Sequence, residues 1–279
     1  MKLGRFNLFY LTDGTFRLDG GAMFGVVPKV IWQKECPADS LNRILLALGV
    51  LLIQADGKNI LVDTGIGNKG NPKFNDIYQV NRSPFLEAEL KKHGLTPDSI
   101  DIVINTHLHF DHAGGNTRIN SSGELAPGFP NARYYIQRKE WEFAFTLNER
   151  TKGSYLLENY SLLEKTGQLV FLDGDQDILE GVAVVETPGH TEHHQSIVVS
   201  SEKQKACFLG DLIPTTAHLS PPYIMGYDLF PLTTLQTKKK ILQQAHEERW
   251  LLFFQHDPKI RSGYLKEKNG KFILDPAEE

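Results

Sequence analysis

Two rhythms of apolar spacing divide the chain into strands and helices. Residues 6–12 are aromatic and aliphatic and read as a strand, followed by the glycine-rich stretch 19–25. Apolar runs at 44–54 and 59–62 are joined by Ala55-Asp56-Gly57-Lys58, a hairpin signal, and the second run ends in Asp63-Thr64-Gly65. Residues 84–93 carry a helical spacing of Phe85, Leu86, Ala88 and Leu90, with Pro84 suited to the first turn and Gly94 as the stop. A short β-branched run follows at 101–105. Downstream, the pattern predicts strands at 133–137, 169–172, 182–187 and 250–254, and helices at 138–147 and 233–246. It also predicts a hairpin of 196–200 with 205–209, and a terminal hairpin over 264–274 that turns at Glu267-Lys268-Asn269-Gly270. No linker rich in Pro, Gly or Ser divides the chain. The pattern predicts a single α/β domain over 1–279, with two sheets and outer helices.

The candidate chemistry sits where strands end. His107, His109, Asp111 and His112 fall within six positions directly after the run 101–105. His190 follows 182–187, Asp211 follows 205–209, and His256 follows 250–254. Strand ends are rigid and the loops beyond them exposed, so scaffolds place chemistry there. Imidazole and carboxylate donors at this density form a chelate for divalent metals. His107 and His109 alternate with Leu108, so an extended loop projects both rings to one side. Asp111 and His112 are adjacent and diverge, which suits ligands of different ions. The expected arrangement puts His107, His109 and His190 on one metal and Asp111, His112 and His256 on the other, with Asp211 bridging them. Such a site keeps positions open for water, as catalytic zinc requires.

The remaining histidines have plainer expectations. His93 sits at a helix end and His246 in an amphipathic helix. His193 and His194 are placed to orient a ligand, and His218 to face the substrate. Met23 and Phe24 are candidates for a pocket wall that receives an apolar chain, with ordinary core packing as the alternative.

Composition narrows the field. The 41% hydrophobic and 23% charged content is that of an ordinary folded domain. A formal net charge of −4 gives no electrostatic footprint for nucleic acid or anionic membrane. The basic run Lys238-Lys239-Lys240 reads as a solvated helix face. Two cysteines, Cys36 and Cys207, exclude a disulfide framework and a thiolate zinc site, and Cys207 reads as a buried, inert thiol. The first residues lack the apolar core of a secretory signal and no window approaches a membrane span, so the cytoplasm is the expected location.

The motif His-Xaa-His-Xaa-Asp-His at 107–112, with Asp63-Thr64-Gly65, Thr187-Pro188-Gly189-His190-Thr191 and Gly210-Asp211, resembles the metallo-β-lactamase superfamily. The resemblance implies an αββα sandwich, two mixed sheets flanked by helices, with the metals at one edge. It implies two divalent ions per chain, usually Zn²⁺, with iron, manganese or cobalt in relatives. Within the superfamily, the segments 18–25 and 210–215 look like those of quorum-quenching N-acyl homoserine lactonases. Those relatives commonly place a tyrosine three residues after the bridging aspartate. Here Pro214 stands at that position, and Tyr223 and Tyr227 are the candidates to supply a hydroxyl from the same loop.

The implied activity is opening of a lactone ring by attack of a hydroxide shared between the metals, with Asp111 steering it and carrying a proton to the leaving oxygen. No Gly-Xaa-Ser-Xaa-Gly elbow offers a serine route. The alternatives are phosphotriester or arylester hydrolysis by the same centre, and a diiron redox protein. Redox relatives carry a flavodoxin domain and extra carboxylate ligands, and neither is present in the sequence. The expected partner is a small-molecule substrate, and analogy with lactonases suggests a homodimer.

Overall fold

A computed structural model describes residues 1–277. Two seven-stranded mixed sheets form in chain order, one from each half of the sequence. The first runs Lys2–Leu3, Phe6–Asp19, Arg43–Ala55, Lys58–Val62, Ile102–Ile104, Arg133–Gln137 and Leu169–Leu172. The second runs Gln176–Leu179, Val182–Glu186, Gln195–Ser201, Gln204–Phe208, Leu251–Phe253, Ser262–Lys268 and Lys271–Pro276.

Alternation along the strands creates three apolar layers. Leu8, Leu51, Ile53, Val62 and Ile104 of the first sheet meet Val184, Ile197, Val199, Phe208 and Phe253 of the second. The opposite face of the first sheet packs Leu52, Leu61, Val103 and Ile136 against Leu90, Trp141 and Leu163 of the helical segments. The outer face of the second packs Cys207, Leu252 and Phe254 against Ile241, Leu242 and Ala245 of the helix Pro231–Glu247. This is the αββα sandwich. No helix among the described residues is long and apolar enough to cross a membrane.

Strand direction puts the loops of interest on one edge. Lys58–Val62 and Ile102–Ile104 are parallel, so Asp63 and the 105–112 loop leave the first sheet together. In the second sheet, Gln204–Phe208 and Leu251–Phe253 are parallel. Val182–Glu186 lies two antiparallel steps from Gln204–Phe208 and therefore points the same way. His190, Asp211 and His256 consequently emerge side by side.

Several elements differ from the sequence expectation. The first strand does not stop at 12 but runs to Asp19, absorbing a register shift between Thr12 and Thr15. The glycine-rich stretch becomes the helix Gly20–Phe24, because the Asp19 carboxylate accepts the Ala22 N–H at 2.8 Å as its cap. The helix expected at 138–147 ends at Phe143. Lys238 is not solvated. It continues the buried stripe of Thr234, Ile241 and Ala245 at helical spacing, and its ammonium donates to the carbonyls of Ser220 (2.7 Å) and Tyr223 (2.9 Å). Desolvation moves its pKa down to about 7. Cys207 is buried as expected, and desolvation pushes its thiol up to about 12, which keeps it protonated and unreactive.

Candidate metal centre

The seven candidate ligands gather where the two sheets' loops meet. Their donor atoms form three groups, each within 4.8 Å: His107, His109 and His190; His107, His112 and Asp211; and Asp111, His112 and His256. His109 Nδ1 lies 3.0 Å from His190 Nε2, and His112 Nε2 lies 3.2 Å from His256 Nε2. Asp211 spans the two pairs. Its Oδ2 is 3.2 Å from His190 Nε2, and its Oδ1 is 3.0 Å from His256 Nε2 and 3.5 Å from His112 Nε2. Asp111 stands further out, with Oδ2 3.6 Å from both His112 Nε2 and His256 Nε2.

Partners behind the rings decide which nitrogens face inward. His112 Nδ1 donates to Asp63 Oδ2 at 3.0 Å, and His190 Nδ1 to Asp228 Oδ1 at 2.9 Å. His256 Nδ1 donates to the Ala47 carbonyl at 2.7 Å. The Thr106 hydroxyl donates to Asp63 Oδ2 at 2.8 Å and so accepts from His107 Nδ1 at 3.0 Å. Each bond turns Nε2 inward, the arrangement that carboxylate–histidine–metal sites use. Asp63 adopts φ +59°, unusual for a non-glycine residue. The Thr106 N–H at 2.7 Å and the His112 ring lock it there.

Two glycines permit the close packing. Gly210 has φ +54°, and a Cβ there would stand 2.6 Å from His194 Nε2, the atom that accepts the Asp211 N–H at 3.1 Å. Gly189 has φ +144°, and its Cβ would stand 2.5 Å from the Thr234 backbone nitrogen. His194 itself is held through Nδ1 by the Thr187 hydroxyl at 2.8 Å, which places it behind Asp211. Burial moves its pKa down to about 3.

These residues fit a pair of cations. His107 Nε2 and Asp211 Oδ1 are buried without hydrogen-bond partners, a costly state unless something else binds them. Buried carboxylates at the site, Asp63, Asp111, Asp211 and Asp228 among them, supply negative charge that cations would offset. Burial, reinforced by the neighbouring histidines, holds His107 and His109 well below the usual imidazole range, leaving both neutral. For His112 burial acts the same way, but the Asp211 and Asp111 carboxylates outweigh it and raise the ring well above that range. Burial likewise opposes the charged form of Asp211, yet His112, His256 and His190 hold it well below the usual carboxylate range.

One supporting residue had no signal in the sequence. Glu140, on the helix Arg138–Phe143, is 1% exposed. Its Oε1 accepts from the Leu108 N–H (3.1 Å) and the Tyr155 hydroxyl (2.8 Å), and its Oε2 from the Thr191 hydroxyl (2.8 Å). It thus ties the His107–His109 loop to the His190 loop, while Tyr155 stacks edgewise on His109. Burial raises its pKa, and the three donors oppose that shift. Glu140→Leu would strand those donors. It is expected to lower stability by about 3 kcal/mol or more and to weaken metal binding by roughly 10- to 100-fold. Thermal unfolding and competitive metal titration measure both. Unchanged metal affinity would remove this bracing role.

A cavity of about 210 Å³ opens onto His109, Asp111, His190, Asp211 and His256, with Leu18, Met23, Tyr78, Phe110, Met225 and Tyr227 on its walls. Met23 and Tyr227, candidates from the sequence, line this cavity. Phe24, His218 and Tyr223 do not line it. Phe24 is fully buried, stacked between Trp32 (5.2 Å) and His218 (4.6 Å), with Tyr223 edge-on at 6.0 Å. His218 spends both ring nitrogens internally, on the Thr215 hydroxyl (2.7 Å) and the Met23 carbonyl (2.8 Å). Pro214 gives its carbonyl to the His256 N–H at 2.9 Å.

A two-sheet sandwich with converging histidines and a spanning aspartate at one edge is suited to metal-dependent hydrolysis. The model of the metallo-β-lactamase superfamily matches residues 50–256, and the chain belongs to that superfamily as one of its hydrolases. An N-acyl homoserine lactonase of Bacillus thuringiensis is 30% identical over 236 residues, covering 79% of this chain and 84% of the relative. The fold superposes on a probable metal-dependent hydrolase from Staphylococcus aureus with TM-score 0.89, 32% identity and complete coverage of both chains. It also superposes on AidC, a dizinc quorum-quenching lactonase in complex with a product, with TM-score 0.83, 25% identity, and coverage of 100% of this chain and 97% of that one.

Proposed function

We propose that this protein opens lactone rings, with N-acyl homoserine lactones as substrates, at a centre of two zinc ions. The observation that carries this reading is Asp211, whose two oxygens face separate nitrogen clusters at 3.2 Å and 3.0 Å beneath a cavity with Leu18, Met23, Phe110 and Met225 on part of its wall. The identity with lactonases supports the substrate class.

His107, His109 and His190 would hold one ion, Asp111, His112 and His256 the other, and Asp211 both. When bound, such ions polarise a carbonyl and lower the pKa of water from ~15.7 towards ~7. The chain's own groups do the rest. Leu18, Met23, Phe110 and Met225 seat the acyl chain and exclude bulk water from the cavity. Tyr227 lies on the same wall. Burial raises its pKa, so it stays protonated and can donate to the substrate carbonyl. Asp111 takes the proton of the attacking water and passes it to the ring oxygen as the acyl carbon–oxygen bond breaks. Water adds across that bond, and the product is an open-chain hydroxy acid.

The test is a panel of acyl homoserine lactones, paraoxon and aryl acetates, with metal content measured on the same sample. Lactone turnover at least about tenfold above the others in kcat/KM is expected; intact lactones beside cleaved aryl esters would overturn the substrate class. Tyr227→Phe is expected to lower kcat/KM roughly tenfold, the value of one hydrogen bond to a developing charge. An unchanged kcat/KM would remove that donor.

A further inference from the structure

The metal cavity is not closed on all sides. A second cavity of about 300 Å³ shares His109, Arg150, Ser154 and Tyr227 with it, so Arg150 stands at the junction. Most arginines of this protein that make a side-chain contact find a carboxylate: Arg5 pairs with Glu180, Arg43 with Asp39, Arg82 with Asp13 and Arg138 with Asp173. Arg150 does not. Its Nη2 donates to the Gly226 carbonyl at 2.8 Å and the Asp228 carbonyl at 3.3 Å, and no carboxylate among the described residues pairs with it. Those two bonds fix the guanidinium against the loop that carries Tyr227, and they leave Nε and Nη1 for another acceptor. Ser154 lines both cavities beside it.

We infer that Arg150 is a specificity-determining residue that selects substrates whose acyl arm bears a carboxylate. The inference rests on the lactonase reading and sharpens it. With two divalent ions bound, the charge of Asp111 and Asp211 is offset, and Arg150 is the uncompensated charge on the cavity wall. A guanidinium presents a rigid fork of N–H donors that matches a carboxylate in two parallel bonds. A neutral alkyl arm offers that fork nothing and leaves it to water. A carboxylate on the acyl arm can meet Arg150 at the junction while the ring lies over the metal ligands and the methylenes lie along Met225 and Phe110.

The experiment uses zinc-loaded full-length protein and two lactam analogues that the enzyme does not open, N-hexanoyl- and N-(5-carboxypentanoyl)-3-aminopyrrolidin-2-one. Calorimetry measures both affinities, so the result does not depend on lactone turnover. The carboxylated lactam is expected to bind about tenfold tighter, in line with a charge-assisted pair at a part-exposed site. In Arg150→Gln that ratio is expected to fall to within about twofold, and Arg150→Lys is expected to retain part of it. Any loosening of the 226–228 loop weakens both lactams and leaves the ratio intact, which separates selection from support. Equal affinities in the wild type, or a ratio that survives in Arg150→Gln, would overturn the inference. Failure of lactone hydrolysis with the affinity ratio intact would count against the lactonase reading alone.

Discussion

Asp211→Ala is expected to leave fewer than two metal ions per chain and to lower turnover by at least about 100-fold, the upper range for losing a partner that merely supports a ligand. Asp211 meets both nitrogen clusters, through different oxygens. Its removal would take a donor from each proposed ion and one buried negative charge from the site. His112 and His256 then keep Nε2 atoms 3.2 Å apart with nothing to offset a cation between them but the more distant Asp111. Elemental analysis after dialysis, paired with a lactone assay, reads both effects. Asp211→Asn separates charge from shape, because the amide fills the space but donates where the carboxylate accepted. Two retained ions per chain in the alanine variant would show that the bridge assignment is wrong.

The contrast between what the sequence revealed and what it hid follows from the range of the interactions. The ligands were legible because each sits just past a strand, and a strand shows in a few consecutive residues. Parallel pairing of 204–208 with 251–253 then brings Asp211 and His256 together. The residues that hold the ligands in place were not legible. Nothing in the sequence marks Asp228, which the fold sets 2.9 Å from His190 Nδ1, across 38 positions. Nothing marks Glu140 either, which its helix turns inward under two loops. Lys238 was hidden in a basic run by the phase of a long helix: only one of three adjacent lysines falls on the buried stripe. Phe24 and His218 lie off the cavity wall for the converse reason. Their neighbourhood was found, but sequence does not say which face of a short helix meets the cavity and which meets Trp32.

Asp111→Asn is expected to separate chemistry from binding. Asp111 lies 3.6 Å from each of the two nearest ligand nitrogens, further than Asp211 from its own nearest partners, and it also lines the substrate cavity. A proposed ligand that also lines the cavity is placed to move a proton between water and the leaving oxygen. The amide keeps a carbonyl oxygen for the ion but has no basic site at neutral pH. Turnover is therefore expected to fall by ~10²- to 10⁴-fold, the range for loss of a general acid–base group, with KM changed less than about threefold. The variant is assayed only after metal analysis confirms occupancy, so that a lost ion is not mistaken for a lost proton carrier. Full occupancy with wild-type turnover would transfer the proton to another group, and Tyr227, on the same wall, is the next to be replaced.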